Sequence, residues 1–305
     1  MDPLSDFLRG IRSDGATLCR AALPPPWSIE LTTPAPLRLV TVLRGEAVLV
    51  LHDGTTAPME AGCSAIVATG KPVRIVDSLE SLDGPDYDPE CETWNRPRED
   101  LESMAECCPD TAVVVAGHYQ ASGRGHETLL KALPPLIAQK EQEGALPVLN
   151  SILDQTIAGG AGAQAVADRF LDWGLVCNLR QWFESRGDRA PGWFRGMRDE
   201  VIAPALEAVH SDVAHPWTVT GLAERAKVSR ALFADRFRTV MDQTPLRYVT
   251  QIRMTRAEDL LRGTDLSVGA IAREVGYANS FAFSNAFKTA RHVSPSKYRT
   301  TVTSA

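Results

Sequence analysis

Apolar and polar residues change their period twice along this chain. Near the start, Leu4, Phe7, Leu8 and Ile11 fall on one face of a helix, which predicts a short amphipathic helix within 1–18. The run Leu23-Pro24-Pro25-Pro26-Trp27 ends any helix, because proline lacks an N–H and fixes φ. From Leu37 the pattern becomes short β-type runs: LRLVTVL (37–43), EAVLVLH (46–52), CSAIVA (63–68) and TAVVVAGHY (111–119). Arg44-Gly45 reads as a hairpin turn between the first two, and Asp53-Gly54 marks the next turn. Short strands with glycine turns predict a small antiparallel sandwich or barrel. The acidic, proline-containing stretch at about 77–110 reads as a long exposed loop.

After Gly125 the period is helical through HETLLKALPPLIAQ, GALPVLNSILDQTIAG and AQAVADRFLDWGLVCNLRQWFESRG. In the last of these, Val166, Phe170, Trp173, Leu175, Val176, Leu179, Trp182 and Phe183 cover a wide arc. Such a helix packs on two sides of its own domain or forms a dimer seam, and both readings stand. Residues 186–196 (RGDRAPGWFRG) read as a linker.

The C-terminal part repeats itself. Leu222-Ala223 match Ile271-Ala272 at an offset of 49, while Phe233, Phe237, Thr244-Pro245 and Tyr248 match Phe283, Phe287, Ser294-Pro295 and Tyr298 at an offset of 50. One residue inserted at a turn explains the difference. Each unit reads as helix, tight turn, helix. Ser229 is placed to cap the first unit's second helix, and Asn279 or Ser280 the second unit's, with Gly276 supplying the turn. The first of these helices is predicted to bury Leu232, Phe233 and Phe237 and to expose Arg230, Ala231, Ala234, Asp235 and Arg238. The second is predicted to bury Phe283 and Phe287 and to expose Phe281, Ala282, Ser284, Asn285 and Lys288. Between the units, 245–263 reads as one helix with Val249, Ile252, Leu260 and Leu261 inward. At ~1.5 Å per residue it spans roughly 27 Å, which with turns separates two recognition helices by about one DNA repeat of ~34 Å.

Charge adds to this picture. The chain as a whole carries −6, but residues 216–305 hold 14 Lys and Arg against 7 Asp and Glu, a balance of +7, and the rest carries −13. A basic end on an acidic body suits a domain that meets phosphates. The first residues lack the apolar stretch of a signal peptide, and no run of 18 apolar residues occurs, so a cytoplasmic protein is expected and no membrane partner. The six cysteines (19, 63, 91, 107, 108, 177) form no CxxC pair, which argues against a disulfide framework.

The double motif resembles the AraC/XylS transcription regulators. Their second-motif pattern stands here as Gly276-Tyr277, Phe283, Phe287-Lys288, Ser294-Pro295 and Tyr298-Arg299. The N-terminal part is similar, more loosely, to the cupin-type sensor domain often joined to such regulators, through DPLSDFLR, the expected hairpin, AGCSAIVATG, GHYQ and LLKALPPLI. The resemblance implies an α+β chain: a cupin-like β-barrel with following helices, then an all-α double helix-turn-helix domain. The expected domains are 1–190 for sensing and dimerisation (barrel about 1–125, helices about 126–186), 191–215 as linker and leading helix, and 216–305 for DNA. It also implies promoter or operator DNA, a second copy of the chain and RNA polymerase as partners. This sequence departs from metal-binding cupins. It has no His-x-His, its six histidines (52, 118, 126, 210, 215, 292) are dispersed, and Val73 stands where such domains often carry histidine. No metal and no cofactor are expected.

The candidate DNA-reading residues are therefore Ser229, Arg230, Ala231, Ala234, Asp235, Arg238, Ser280, Phe281, Ala282, Ser284, Asn285 and Lys288. Asn285 suits bidentate pairing with adenine, and Arg238 and Lys288 suit phosphates. Asp235 either accepts from a cytosine amino group or makes no contact. Three readings of the N-terminal domain remain. The first is a small-molecule effector site with Trp27, Arg38, His52 and Trp94 as wall residues. The second is a cysteine-based sensor of oxidants or electrophiles using Cys19 and Cys91, with Cys63 and Cys177 as buried, inert thiols. The third is a cupin-like enzyme fused to a DNA-binding domain. The third lacks a visible Ser/His/Asp or metal constellation and a phosphate-binding glycine loop, so no enzymatic activity is expected.

Overall fold

The computed structural model describes residues 2–9, 11–12, 19–84, 110–121, 125–141, 145–157 and 161–303. They cluster into two compact units. One gathers Arg12–Ala121 and Leu133–Trp182; the other gathers Met1–Ile11, Ser122–Ala132 and Phe183–Ala305.

In the first unit, β2 (Cys19–Leu23), β4 (Leu37–Arg44), β7 (Cys63–Val67), β9 (Ala112–Ala121) and β10 (Leu136–Lys140) belong to one sheet. Its order is β9-β4-β7-β10, with β2 also paired to β9. A second sheet runs β3-β8-β5-β6, from β3 (Ser28–Leu31), β5 (Glu46–Leu51), β6 (Thr56–Glu60) and β8 (Val73–Val76). The inward side chains of both sheets make one core that includes Trp27, Ile29, Val40, Leu49, Met59, Val67, Ile75 and Val114. The outer face of the first sheet carries α4 (Ala163–Arg186): Tyr119 Oη donates to the Leu171 carbonyl at 2.7 Å, and Gln139 Nε2 to Asn178 Oδ1 at 2.9 Å.

Several expectations are corrected here. The runs 37–43 and 46–52 are not a hairpin. β4 pairs with β7 and β9, while β5 pairs with β6 and β8 in the other sheet. Gly45 is the corner between sheets, at φ +71°, and a Cβ there would sit 3.1 Å from Ala112 Cα. Asp53-Gly54 does close a hairpin, β5 to β6, with Gly54 at φ +83°. The stretch from His126 is not continuous helix: α2 (Gly125–Leu130) stops and LIAQK forms β10 against β7. Its apolar residues satisfied either period, and the open edge of β7 decided between them.

In the second unit the N-terminal helix is shorter than predicted, α1 (Pro3–Leu8); the short β1 (Ile11–Arg12) that follows is the first strand of the six-stranded sheet, next to β9. Asp2 caps α1 by accepting from Ser5 N at 2.9 Å. Leu4 and Phe7 are buried, with Phe7 edge-on to Trp193 at 5.1 Å. The expected linker is also folded. It forms α5 (Gly192–Arg198), in which Trp193 and Phe194 are buried, followed by α6 (Ala203–Ser211). Two buried aromatics outweighed the loop-like Gly, Pro and Arg composition. Two further helices of the predicted linear pattern lie in the first unit, α3 (Ala145–Ile157) and most of α4.

Candidate nucleic-acid interface

The two repeats fold alike, down to their caps. The first has α7 (Val219–Arg225) and α8 (Arg230–Met241); the second has α10 (Val268–Glu274) and α11 (Ser280–Arg291). Thr218 and Ser267 cap the leading helices, accepting from Gly221 N at 3.0 Å and Ala270 N at 3.2 Å. Ser229 and Asn279 cap the second helices, accepting from Leu232 N at 3.3 Å and Ala282 N at 2.8 Å. Each leading helix ends in a left-handed residue, Lys227 (φ 56°) and Gly276 (φ 79°), and the next amide reaches back to Ala223 O or Ala272 O. The one-residue insertion follows that point, so the second turn is longer by a residue. The second helix of each repeat ends on another left-handed residue, Asp242 or His292, and proline opens the next helix. Those helices are α9 (Pro245–Gly263) and α12 (Pro295–Thr303). The aromatic ladders correspond too. Phe233–Phe237 and Phe283–Phe287 are both 5.6 Å apart, and Phe237–Tyr248 and Phe287–Tyr298 lie at 5.9 and 5.5 Å.

These buried aromatics fix what points outward. On α11 the stripe Phe281, Asn285, Lys288 lies opposite Phe283 and Phe287, and all three are exposed. The matching stripe on α8 is Ala231, Asp235, Arg238, also exposed. Arg230, Ser280 and Ala282 are exposed on the flanks, whereas Ala234 and Ser284 are half-buried. Ser229 faces solvent but spends its hydroxyl on the cap. Leu232 departs from expectation. It is 53% exposed and borders an open cleft with Phe194, Arg195 and Arg236, because the core line of α8 is Phe233-Phe237-Met241.

The spacer α9 buries Val249, Ile252 and Leu261 and half-buries Leu260. It also carries the groups that lock the repeats together, which sequence reasoning missed. Arg253 donates from Nε to Val213 O at 3.1 Å and from Nη2 to His215 O at 2.7 Å, in the loop leading into the first repeat. The same guanidinium stacks 5.6 Å from the Tyr277 ring in the turn of the second. Burial pulls Arg253 below its ordinary pKa and pushes Tyr277 up. Gly276 belongs to this contact: a Cβ there would lie 2.4 Å from Ala214 O. Near the far end, Glu258, 1% exposed, receives Arg291 through two bonds of 2.8 Å. Arg253 is one of several arginines on the spacer, and its partners come from two other elements, so no local signal marks it.

In the first unit the candidate effector residues receive mixed placements. Trp27 is wholly buried in the core between the sheets, and its indole Nε1 has no hydrogen-bond partner among the described residues. Arg38 is also buried and donates to the Lys71 and Thr33 carbonyls, with its pKa lowered by burial. Across the sheet from it, His118 is held below its usual pKa by burial and by Arg38. His52 is exposed and accepts from Lys71 Nζ at 2.7 Å. Cys91, Trp94 and the vicinal Cys107-Cys108 lie outside the described residues, as does the side chain of Cys19. Cys63 and Cys177 are half-buried rather than buried, and burial pushes the Cys177 thiol up. Among the described residues no three His, Cys, Asp or Glu side chains gather as a metal ion would require, and no helix is long and apolar enough to cross a membrane.

Comparison with known proteins finds two family models along the chain. A Cupin family model matches residues 2–184, and a Helix-turn-helix domain model matches 222–301. An AraC-like transcription regulator of Streptomyces antibioticus is 29% identical over 307 residues, covering 98% of each chain. The HTH-type transcriptional regulator AlkR of Acinetobacter baylyi is 25% identical over 307 residues, 98% of this chain and 99% of its own. The RCS-specific HTH-type transcriptional activator RclR of Escherichia coli is 41% identical over 175 residues, 56% of this chain and 54% of its own. Among solved structures, the DNA-binding domain of AdpA in complex with a target DNA is 28% identical, with a TM-score of 0.33, covering 34% of this chain and 93% of that one. The chain belongs to the AraC-like DNA-binding transcription regulators in which a cupin domain precedes a helix-turn-helix domain.

Proposed function

We propose that α8 and α11 enter successive major grooves on one face of an operator, and that a small effector bound by the cupin domain controls this binding. The observation that carries the DNA reading is the pair of matching outward stripes on two helices capped at the same position, by Ser229 and Asn279, and joined by a 19-residue spacer. Asn285 pairs with adenine; Arg238 and Lys288 hold phosphates; Asp235 accepts from cytosine or stays clear of the bases. The helix N-termini, with Arg230 and Ser280 at their first positions, face the base edges.

A homodimer is the working form in this reading. Its support is the apolar strip on α4, where Val166 is 43% and Trp173 47% exposed with Phe170 half-buried between them. RNA polymerase is the further partner expected of a transcription regulator. The described cysteines give no support to thiol sensing, since burial raises the Cys177 thiol and so lowers its thiolate fraction.

Footprinting on its own promoter region tests the DNA reading. Two protected segments one helical turn apart, lost on unrelated DNA, are expected; equal protection on random DNA rejects it. For the effector, a metabolite panel scored by melting temperature and DNA affinity should give at least one compound that moves both.

A further inference from the structure

We infer that Phe281 is a specificity-determining residue whose ring reads the C5-methyl group of a thymine in the major groove. The inference rests on the DNA-reading function proposed above and narrows its target. Phe281 is 76% exposed, while the four phenylalanines of the two repeat cores, Phe233, Phe237, Phe283 and Phe287, are each 1% exposed or less. Neither the core nor helix propensity asks for phenylalanine at this position, since aromatic side chains form helix less readily than alanine or the long polar residues. The ring projects from a fixed backbone, because the Asn279 cap on Ala282 N at 2.8 Å pins the first turn of α11.

Its neighbours are polar readers. Phe281 stands one turn before Asn285 and two before Lys288, on the face opposite the buried phenylalanines. A phenyl group there has no hydrogen bond to offer a base. The one apolar feature that an unmodified base pair presents in the major groove is the thymine methyl, and adenine offers the N6/N7 pair that asparagine matches. Residues four apart on a helix lie ~5–6 Å from each other, against a base-pair rise of about 3.4 Å. Phe281 and Asn285 therefore address nearby base pairs, and the second half-site is a short A·T-containing element with a methyl under the ring. The first repeat carries Ala231 at the matching position, where a single methyl group makes a much smaller contact.

The test replaces thymine by deoxyuridine, which removes the methyl and nothing else. Binding sites are first selected from a random duplex pool with the full-length protein. Each thymine of the second half-site is then replaced singly, and the dissociation constant is measured for the wild type and for Phe281→Ala. At ~0.8 kcal/mol per buried methyl-sized group, one replacement should weaken the wild type about fourfold. The same replacement should leave Phe281→Ala unchanged, with Phe281→Leu in between. Circular dichroism and melting of the variants should match the wild type, since the side chain is solvent-exposed. A uridine effect of equal size in wild type and Phe281→Ala, or none at any position, overturns the inference while leaving DNA reading intact. A pool that yields no enriched sequence overturns the DNA-reading function itself, and this inference with it.

Discussion

Asn285 and Lys288 share one outward stripe, and the proposed roles assign them to different parts of the duplex. An asparagine that pairs with adenine discriminates between bases, whereas a lysine on a phosphate does not. Asn285→Ala should therefore cost ~1–3 kcal/mol on the preferred site and relax preference at one base pair, as measured by competition among single-base variants. Lys288→Ala should weaken all sequences alike and reduce the slope of log affinity against log salt by about 0.9. If the two variants behave identically in both assays, the assignment of roles is wrong. The outward positions were legible at this scale because the repeat aligned them: once Phe283 and Phe287 are inward, Asn285 must be outward. Leu232 was not legible. It is apolar and adjacent to Phe233, yet 53% exposed, since the core follows Phe233, Phe237 and Met241 at four-residue intervals.

Between elements, Arg253 holds the two repeats in one geometry through two carbonyls of the 212–215 loop and the Tyr277 ring. Arg253→Ala should cost ~1.5–3 kcal/mol of stability in urea denaturation, the range for hydrogen bonds to a charged group. It should also reduce affinity for a full two-part site more than affinity for a single half-site. Lysine should not restore it, because a single ammonium replaces a planar fork that reaches two acceptors. Gly276→Ala should be worse for folding than a usual glycine change, since its φ is +79° and its Cβ would collide with Ala214 O at 2.4 Å. The gain in reading the elements from sequence was uneven. A strong i, i+4 aromatic pattern named α8 and α11, but Lys227 adopts a left-handed conformation with no glycine to announce it. The strand at 136–140 looked helical because a short apolar run fits either period.

At the level of the molecule, two features await solution measurement. The α4 strip predicts self-association: Trp173→Glu should shift the sedimentation of the full-length protein from dimer to monomer, and an unchanged dimer would place the interface elsewhere. The N-terminal helix gives the helical unit an acid sensitivity. Burial alone would raise the Asp6 carboxyl, but its bond to His210 Nδ1 at 2.8 Å, with Arg9 and Arg256 nearby, leaves it below the ordinary value. His210 in turn meets Tyr248 Oη at 2.6 Å on α9. A carboxyl with a lowered folded pKa stabilises above its unfolded value of ~3.9, and that contribution is lost as pH falls through the folded value. Stability should therefore decline more steeply below about pH 4 in the wild type than in Asp6→Asn, read from urea curves across that range.

The sequence by itself determined the double motif, its caps, its spacer and its outward stripes, because each depends on residues within a few positions of one another. A buried phenylalanine every fourth residue and a Ser or Asn before it are local signals that helical geometry converts directly into a face. Only the tertiary structure decided where non-local partners meet. It turned the expected hairpin at Gly45 into a corner between two sheets, gave LIAQK to the edge of β7, and folded the linker around Trp193 and Phe194. It also brought residues 1–11 into the same compact unit as the repeats. Strand pairing and aromatic burial are settled by which surfaces lie open elsewhere in the chain, and no window of neighbouring residues carries that information.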